Sequence, residues 1–203
     1  MEIIAESSDK RLQWQLALFD ESAEELATLL GDAAAADRHW VSSRRIEAYG
    51  ERLLLWRMFQ TTVELLHRDN GAPYLSGRSE HISISHSKRF VAVASHPAQP
   101  VGIDVEVNTD RAARLSQRFM NDGELASAPA DWRLREKALA VWCAKEAAYK
   151  CLPVEGCDFR SDMWADFDGR KISVRYQKRR FDFDCRLTPD YCLVVGTERP
   201  NSG

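Results

Sequence analysis

Three carboxylates and one lysine carry the chemistry this sequence can perform. Val101, Gly102, Ile103, Asp104, Val105 and Glu106 read as a β-strand. Alternate side chains of a strand share a face, so Asp104 and Glu106 point together while Ile103 and Val105 turn into a core. Some forty residues on, the run WCAKEAAYK at residues 142–150 reads as a helix. Glu146 and Lys150 lie four residues apart on one face of it, with Trp142 one turn earlier. Two carboxylates side by side repel unless water or a cation separates them. A helix crossing the strand lets Glu146 complete a three-carboxylate oxygen site for Mg²⁺, with water and substrate phosphate oxygens filling the octahedron and Lys150 beside those phosphates. Each segment alone also has an ordinary reading, as a solvated strand face or as a helix pair worth about 0.2 to 0.5 kcal/mol. Their conjunction carries the inference.

The elements that must position these groups follow from periodicity. Leu12, Leu16, Phe19, Leu26 and Leu29 suit an amphipathic helix over residues 10–30, interrupted near Asp20, Glu21 and Ser22. Ile46, Tyr49, Leu53, Trp56, Phe59, Val63 and Leu66 predict one long helix that ends at the Asn70, Gly71, Pro73 turn. Residues 81–85 and 90–94 read as strands, and Pro97 and Pro100 mark the clearest internal boundary before the strand at 101–106. Helices are expected at 111–119 and 132–151, closing strands at 171–176, 181–185 and 191–195, and a mobile tail from Thr197. The expected architecture is α+β, with antiparallel strands and long helices in two closely associated subdomains, residues 1–99 and 100–203.

With 203 residues, 44% hydrophobic and 29% charged, the chain has the composition of an ordinary globular protein. A formal net charge of −3 gives no reason to expect nucleic-acid or membrane binding. No window approaches membrane-spanning length and the first residues lack a basic, apolar leader, so a cytoplasmic location is expected. The five cysteines include no Cys-x-x-Cys pair, and reduced thiols are expected rather than disulfides or zinc. Cys143 reads as a small buried residue with no histidine to activate it. The sequence holds no Walker loop, no Gly-x-Gly-x-x-Gly, no His-Glu-x-x-His and no Gly-x-Ser-x-Gly.

GIDVE at residues 102–106 and WCAKEAAYK at 142–150 together resemble the two-part signature of the 4'-phosphopantetheinyl transferase family. Ile84, Ser85, His86 and Ser87 are similar to the family's Ile-Ser-His-Ser strand end, and Gly71, Ala72, Pro73 and Tyr74 to its Gly-Lys-Pro-Tyr turn. Arg118 and Phe119 followed by Glu124 match a stretch between the main motifs, while Arg44, Arg45 and Arg52 resemble the N-terminal helix of the longer, surfactin-synthetase-type members. The resemblance covers roughly residues 40–150. It implies a pseudo-two-fold fold of two similar subdomains with the active site between them, and a monomer.

The implied activity is Mg²⁺-dependent transfer of the phosphopantetheine arm of coenzyme A to a serine of an acyl or peptidyl carrier protein, releasing adenosine 3',5'-bisphosphate. Carried over by motif, Asp104, Glu106 and Glu146 hold the metal, and Glu146 takes the serine proton or positions the group that does. Lys150 contacts the pyrophosphate, and His86 with Ser85 meets the 3'-phosphate. Arg45 and Arg52 add phosphate contacts, a task suited to guanidinium forks, although basic residues on a helix also serve simply as a solvated face. The family's turn lysine is Ala72 here, so weaker coenzyme A binding is expected unless Arg78 or Lys88 substitutes. Tyr74 and Tyr149 are candidates to stack on adenine or meet the carrier, whereas Trp56 and Trp142 fit a core better. The competing readings are a coenzyme A or carrier-binding module without turnover, and another metal-dependent phosphotransfer enzyme or nuclease.

Overall fold

Alternation of Gln13, Trp14, Gln15 and Leu16 decides the first departure from helical spacing. In the computed structural model, which describes residues 1–7, 9, 11–31, 39–152 and 156–200, this segment is a strand, β2 (Gln13–Leu18), paired antiparallel with β1 (Glu2–Glu6). Trp14 and Leu16 turn the same way and are buried, so the two-residue period outweighs the three-and-four spacing that also threads Leu12, Leu16 and Phe19. The helical reading of residues 10–30 holds only for α1 (Ala23–Leu30). Ser22 caps it in a capping box with Glu25, and Gly31 ends it at φ +60°.

The chain divides into two units, residues 1–97 and 98–203. In the first, α2 (Ser42–Phe59) is shorter than its apolar spacing predicts. Gln60 adopts a left-handed conformation and the β-branched Thr61, Thr62 and Val63 follow it, so Val63 and Leu66 leave the helical row. The chain instead forms a hairpin from β3 (Leu65–His67) and β4 (Pro73–Leu75) around the expected Asn-Gly turn, where Gly71 has φ +81°. Strands β5 (His81–Ser87) and β6 (Phe90–His96) complete a sheet of order β1-β2-β6-β5. Helix α2 lies close on it: a Cβ on Gly50 would sit 2.9 Å from Val91 Cγ2, beside the buried Phe19, Tyr49, Leu54 and Leu55.

The second unit is a five-stranded antiparallel sheet of order β7-β11-β10-β9-β8, made of β7 (Val101–Val107), β8 (Met163–Asp168), β9 (Lys171–Tyr176), β10 (Arg179–Leu187) and β11 (Tyr191–Glu198). Because β11 runs on through Glu198 and pairs with β7, Thr197 belongs to the sheet and not to a tail; residues 201–203 lie outside the described residues. Between β7 and β8 come α3 (Arg111–Leu115), a 3₁₀ turn (Ser116–Arg118), α4 (Asp122–Ser127) and α5 (Leu134–Lys150). The protein is α+β, with antiparallel sheets and helices. Helix α5 buries Ala138, Ala140, Ala144, Ala147 and Ala148 with Cys143, a surface of small side chains that lets helix and sheet approach closely. No helix among the described residues is long and apolar enough to cross a membrane.

Candidate active site

Gly102 begins the site. The Gly102, Asp104, Glu106 row of β7 faces α5, and a Cβ on Gly102 would overlap the Ala147 carbonyl oxygen, so only glycine admits the helix there. The alternate residues Ile103 and Val105 are buried, as a strand reading requires. At this crossing Lys150 Nζ lies 2.9 Å from Asp104 Oδ1 and donates equally closely to the Ile103 carbonyl oxygen. Asp104 is 7% exposed and Lys150 27%, which places the ion pair at the edge of the core.

Glu146, one turn before Lys150, has a carboxyl pushed up to about 7. Burial is the main cause, the negative charge of Asp104 and then Glu106 adds to it, and Lys150 opposes it. The charges of Asp104 and Glu106 thus both act on Glu146. No three His, Cys, Asp or Glu side chains among the described residues converge as a metal cluster. The oxygen-only donor set nevertheless fits a hard divalent cation, since Mg²⁺ is commonly held by one or two carboxylates with water and substrate phosphates completing its shell. Here the Lys150 ammonium lies 2.9 Å from Asp104 Oδ1.

A cleft of about 110 Å³ opens beside Glu106, walled by Arg111, Leu115, Phe119, Leu139 and Trp142. Trp142 is half-buried against the core, with Phe119 at 5.1 Å and Phe159 at 5.7 Å between ring centroids; Tyr149 packs on Phe159 at 5.8 Å. Behind it lies a pair to which sequence reasoning gave no role. Lys145 and Glu124 are both 0% exposed and 2.6 Å apart. Burial lowers the Lys145 pKa and Glu124 opposes that shift. The signal was present in the Arg118, Phe119, Glu124 stretch and in the lysine preceding Glu146, but neither spacing indicates that the two meet.

The first unit carries a separate polar basin of about 370 Å³, lined by Arg44, Glu47, Glu51, Arg52, His67 and His86. His86 Nδ1 stands 3.4 Å from Glu47 Oε1. Glu51 has its carboxyl pushed up to about 7, chiefly by burial, with Glu47 raising it and Arg44 and Arg52 lowering it. Arg44, Glu47, Glu51 and Arg52 share one face of α2 at helical spacing, a pattern that finds the acidic members the motif reading passed over. Gly71 and Pro73, which flank Ala72, also line the basin.

Other candidates sit elsewhere. Ser85 alternates to the opposite face of β5 from His86 and is buried. Arg45 Nη1 reaches Glu24 at 2.7 Å and its guanidinium lies over the Tyr49 ring. Arg78 is held by Glu80 and stacks on Phe59, and Tyr74 is covered by Arg68. Lys88 is exposed in the turn between β5 and β6. Trp56 departs from the expectation of a core residue: it is 52% exposed, on the outward side of α2, where it lines a surface groove with Leu29 and Leu53. Cys143 is buried with its thiol pushed up to about 12 by burial, as an unreactive core cysteine should be, and all five cysteines are free.

Comparison with protein families adds one finding. Residues 100–196 match the family described as the 4'-phosphopantetheinyl transferase superfamily. The match covers nearly all of the second unit and just under half of the chain. A search of curated proteins finds no significant match.

Proposed function

Residues 100–196 are a 4'-phosphopantetheinyl transferase superfamily domain, and from that premise we propose that the chain transfers the phosphopantetheine arm of coenzyme A to a carrier-protein serine. The observation that carries this reading is the crossing of β7 and α5, where Asp104, Lys150 and a Glu146 raised to about 7 meet. In the proposed reaction the serine Oγ attacks the pantetheine-side phosphorus of the pyrophosphate. A P–Oγ bond forms, the bond to the bridging oxygen breaks, and adenosine 3',5'-bisphosphate leaves.

A weak hydroxyl nucleophile needs alignment and charge neutralisation more than covalent help. Glu146 takes the serine proton or positions the group that does. Lys150 places its ammonium beside the leaving oxygen. Asp104, Glu106 and Glu146 would hold a Mg²⁺ ion, which supplies charge neutralisation on the pyrophosphate when bound. His86, Ser85, Arg45 and Arg52 are the proposed coenzyme A phosphate contacts; His86 and Arg52 line a polar basin with Arg44, which supports their assignment more directly than that of the other two. The carrier is an acyl or peptidyl carrier protein, the enzyme acts as a monomer, and five free thiols suit the reducing cytoplasm.

Intact mass of a panel of apo carrier proteins, incubated with the protein, coenzyme A and Mg²⁺, tests this. A gain of one phosphopantetheine on serine that a chelator abolishes is expected. Coenzyme A binding without mass gain on any carrier would favour a binding module, and hydrolysis of nucleic acid would favour the nuclease reading.

A further inference from the structure

We propose that the buried Glu124–Lys145 ion pair is a positioning lock that fixes the rotation and register of α5, and with them the placement of Glu146 and Lys150. Lys145 Nζ has three N–H donors and the lock uses all of them: the carbonyl oxygens of Phe119 and Phe159, each at 2.7 Å, and Glu124 Oε1 at 2.6 Å. Glu124 is held as firmly. Its Oε1 also accepts the Ala165 N–H of β8 at 2.8 Å, and its Oε2 accepts the Asn121 N–H that begins α4, again at 2.8 Å. One side chain of α5 is thereby tied to four chain segments outside the helix.

The need for such a lock follows from the helix surface. The buried side of α5 is largely alanine, with shallow ridges that permit close approach but resist turning or sliding poorly. Gly102 leaves room for the Ala147 carbonyl without gripping it. On the far side, Trp142, Lys145 and Tyr149 share one helical row, and the Phe119 and Phe159 carbonyls that accept from Lys145 belong to residues whose rings clamp Trp142. Glu146 sits about 100° round the helix from Lys145, between this lock and the Lys150–Asp104 contact. A buried ion pair is costly to desolvate compared with an apolar replacement, and its best-attested use is to specify register. A shift of about 1 Å at a reacting group lowers turnover about 100-fold, so a register device here acts on catalysis.

Two variants test the lock. Glu124→Gln with Lys145→Met removes both charges together, and Glu124→Gln alone keeps shape and an acceptor for Lys145 should the double variant not fold. Crystal structures and steady-state kinetics are compared with the wild type. The expected results are a Lys150–Asp104 contact lengthened beyond hydrogen-bonding range, kcat lowered about tenfold or more, and KM for coenzyme A within about threefold, the split that a loss of positioning predicts. A folded variant that keeps α5 in its wild-type place, or turns over within about twofold of wild type, overturns the proposal. The kinetic arm rests on the transfer reading and the structural arm does not. A wild-type protein that transfers no arm therefore removes the function while the structures still decide the lock.

Discussion

Lys150 Nζ lies 2.9 Å from both Asp104 Oδ1 and the Ile103 carbonyl oxygen, so α5 is fastened to β7 by an ammonium at the point where substrate phosphate is proposed to lie. Removing the lysine leaves a 7%-exposed carboxylate without its ammonium. Lys150→Met is therefore expected to lower stability by about 2 to 3 kcal/mol, toward the low end for a broken buried pair because Lys150 itself reaches solvent. Asp104→Asn, which leaves an amide able to accept the same hydrogen bond, should cost less. Urea unfolding of both singles and the double should give a coupling of about 1 to 3 kcal/mol, and additive effects would show that the contact holds nothing.

Activity should respond differently from stability. Asp104→Ala and Glu146→Ala are each expected to lower arm transfer by about 100-fold or more. Carboxylates crowded at a functional site are a source of strain, so the melting temperature of Glu146→Ala should change by no more than about 4 °C, the equivalent of about 1 kcal/mol for a chain of this size, whereas Asp104→Ala also gives up the Lys150 contact and should cost more. Mass-based transfer assays beside thermal scans check both halves, and retained transfer in the two variants would remove these residues from the mechanism.

The part of the site legible in sequence is the part built from single elements. Asp104 and Glu106 share a face because β7 is a strand, and Glu146 and Lys150 share one because α5 is a helix; two local periods suffice. The Glu124–Lys145 meeting is set by tertiary packing between α4 and α5, which no local period encodes. The same limit explains the first 66 residues. Leu12, Leu16 and Phe19 satisfy a helical spacing while Trp14 and Leu16 satisfy a strand, and pairing with β1 and β6 decides between them. Val63 and Leu66 continue the apolar row of α2 on paper, but left-handed Gln60 breaks it and the hairpin partner β4 takes the chain. Strand β8 gives a weak signal because Trp164 falls on the same face as Asp166 and Asp168, which blurs the alternation.

Glu51 gives the protein a pH signature. Its carboxyl, raised from 4.5 to about 7, stays protonated in the folded basin through a range where the unfolded chain has already ionised. The folded state then holds the extra proton, so this group's contribution is fully present below about pH 4.5 and is lost as pH rises through about 7. Glu51→Gln, neutral throughout, should melt progressively higher than wild type between pH 5 and pH 8. Arg44, Glu47 and Arg52 on the same helix and His67 and His86 across the basin are present in both proteins, so the comparison isolates Glu51. A difference in melting temperature that does not vary with pH would place Glu51 in contact with bulk water.

Ala72 sits between Gly71 and Pro73, both of which line the same basin, and neither Arg78 nor Lys88 is among the residues that line it. Arg78 is held by Glu80 and Phe59 instead. Ala72→Lys is expected to lower KM for coenzyme A about threefold to tenfold with little change in kcat, because a phosphate contact far from the reacting phosphorus contributes equally to ground and transition states. An unchanged KM would mean that coenzyme A phosphates do not approach this turn.

Gly102→Ala provides the most direct check on the crossing itself. The added Cβ would overlap the Ala147 carbonyl oxygen and stand 2.7 Å from its carbon and 3.0 Å from Cys151 Sγ, and the nearest obstacle is backbone that cannot rotate away. Either α5 lifts from β7 or the variant fails to fold. Lifting separates Lys150 from Asp104 and carries Glu146 with it, so a folded variant should lose about 3 kcal/mol of stability, the upper end for overpacking, and lose transfer together with it. Glu146→Ala is expected to lose transfer alone, and that contrast separates a carboxylate proposed to act in the chemistry from a glycine that permits the geometry. Near-wild-type stability for Gly102→Ala would show that strand and helix do not approach as closely as the Gly102 contact requires.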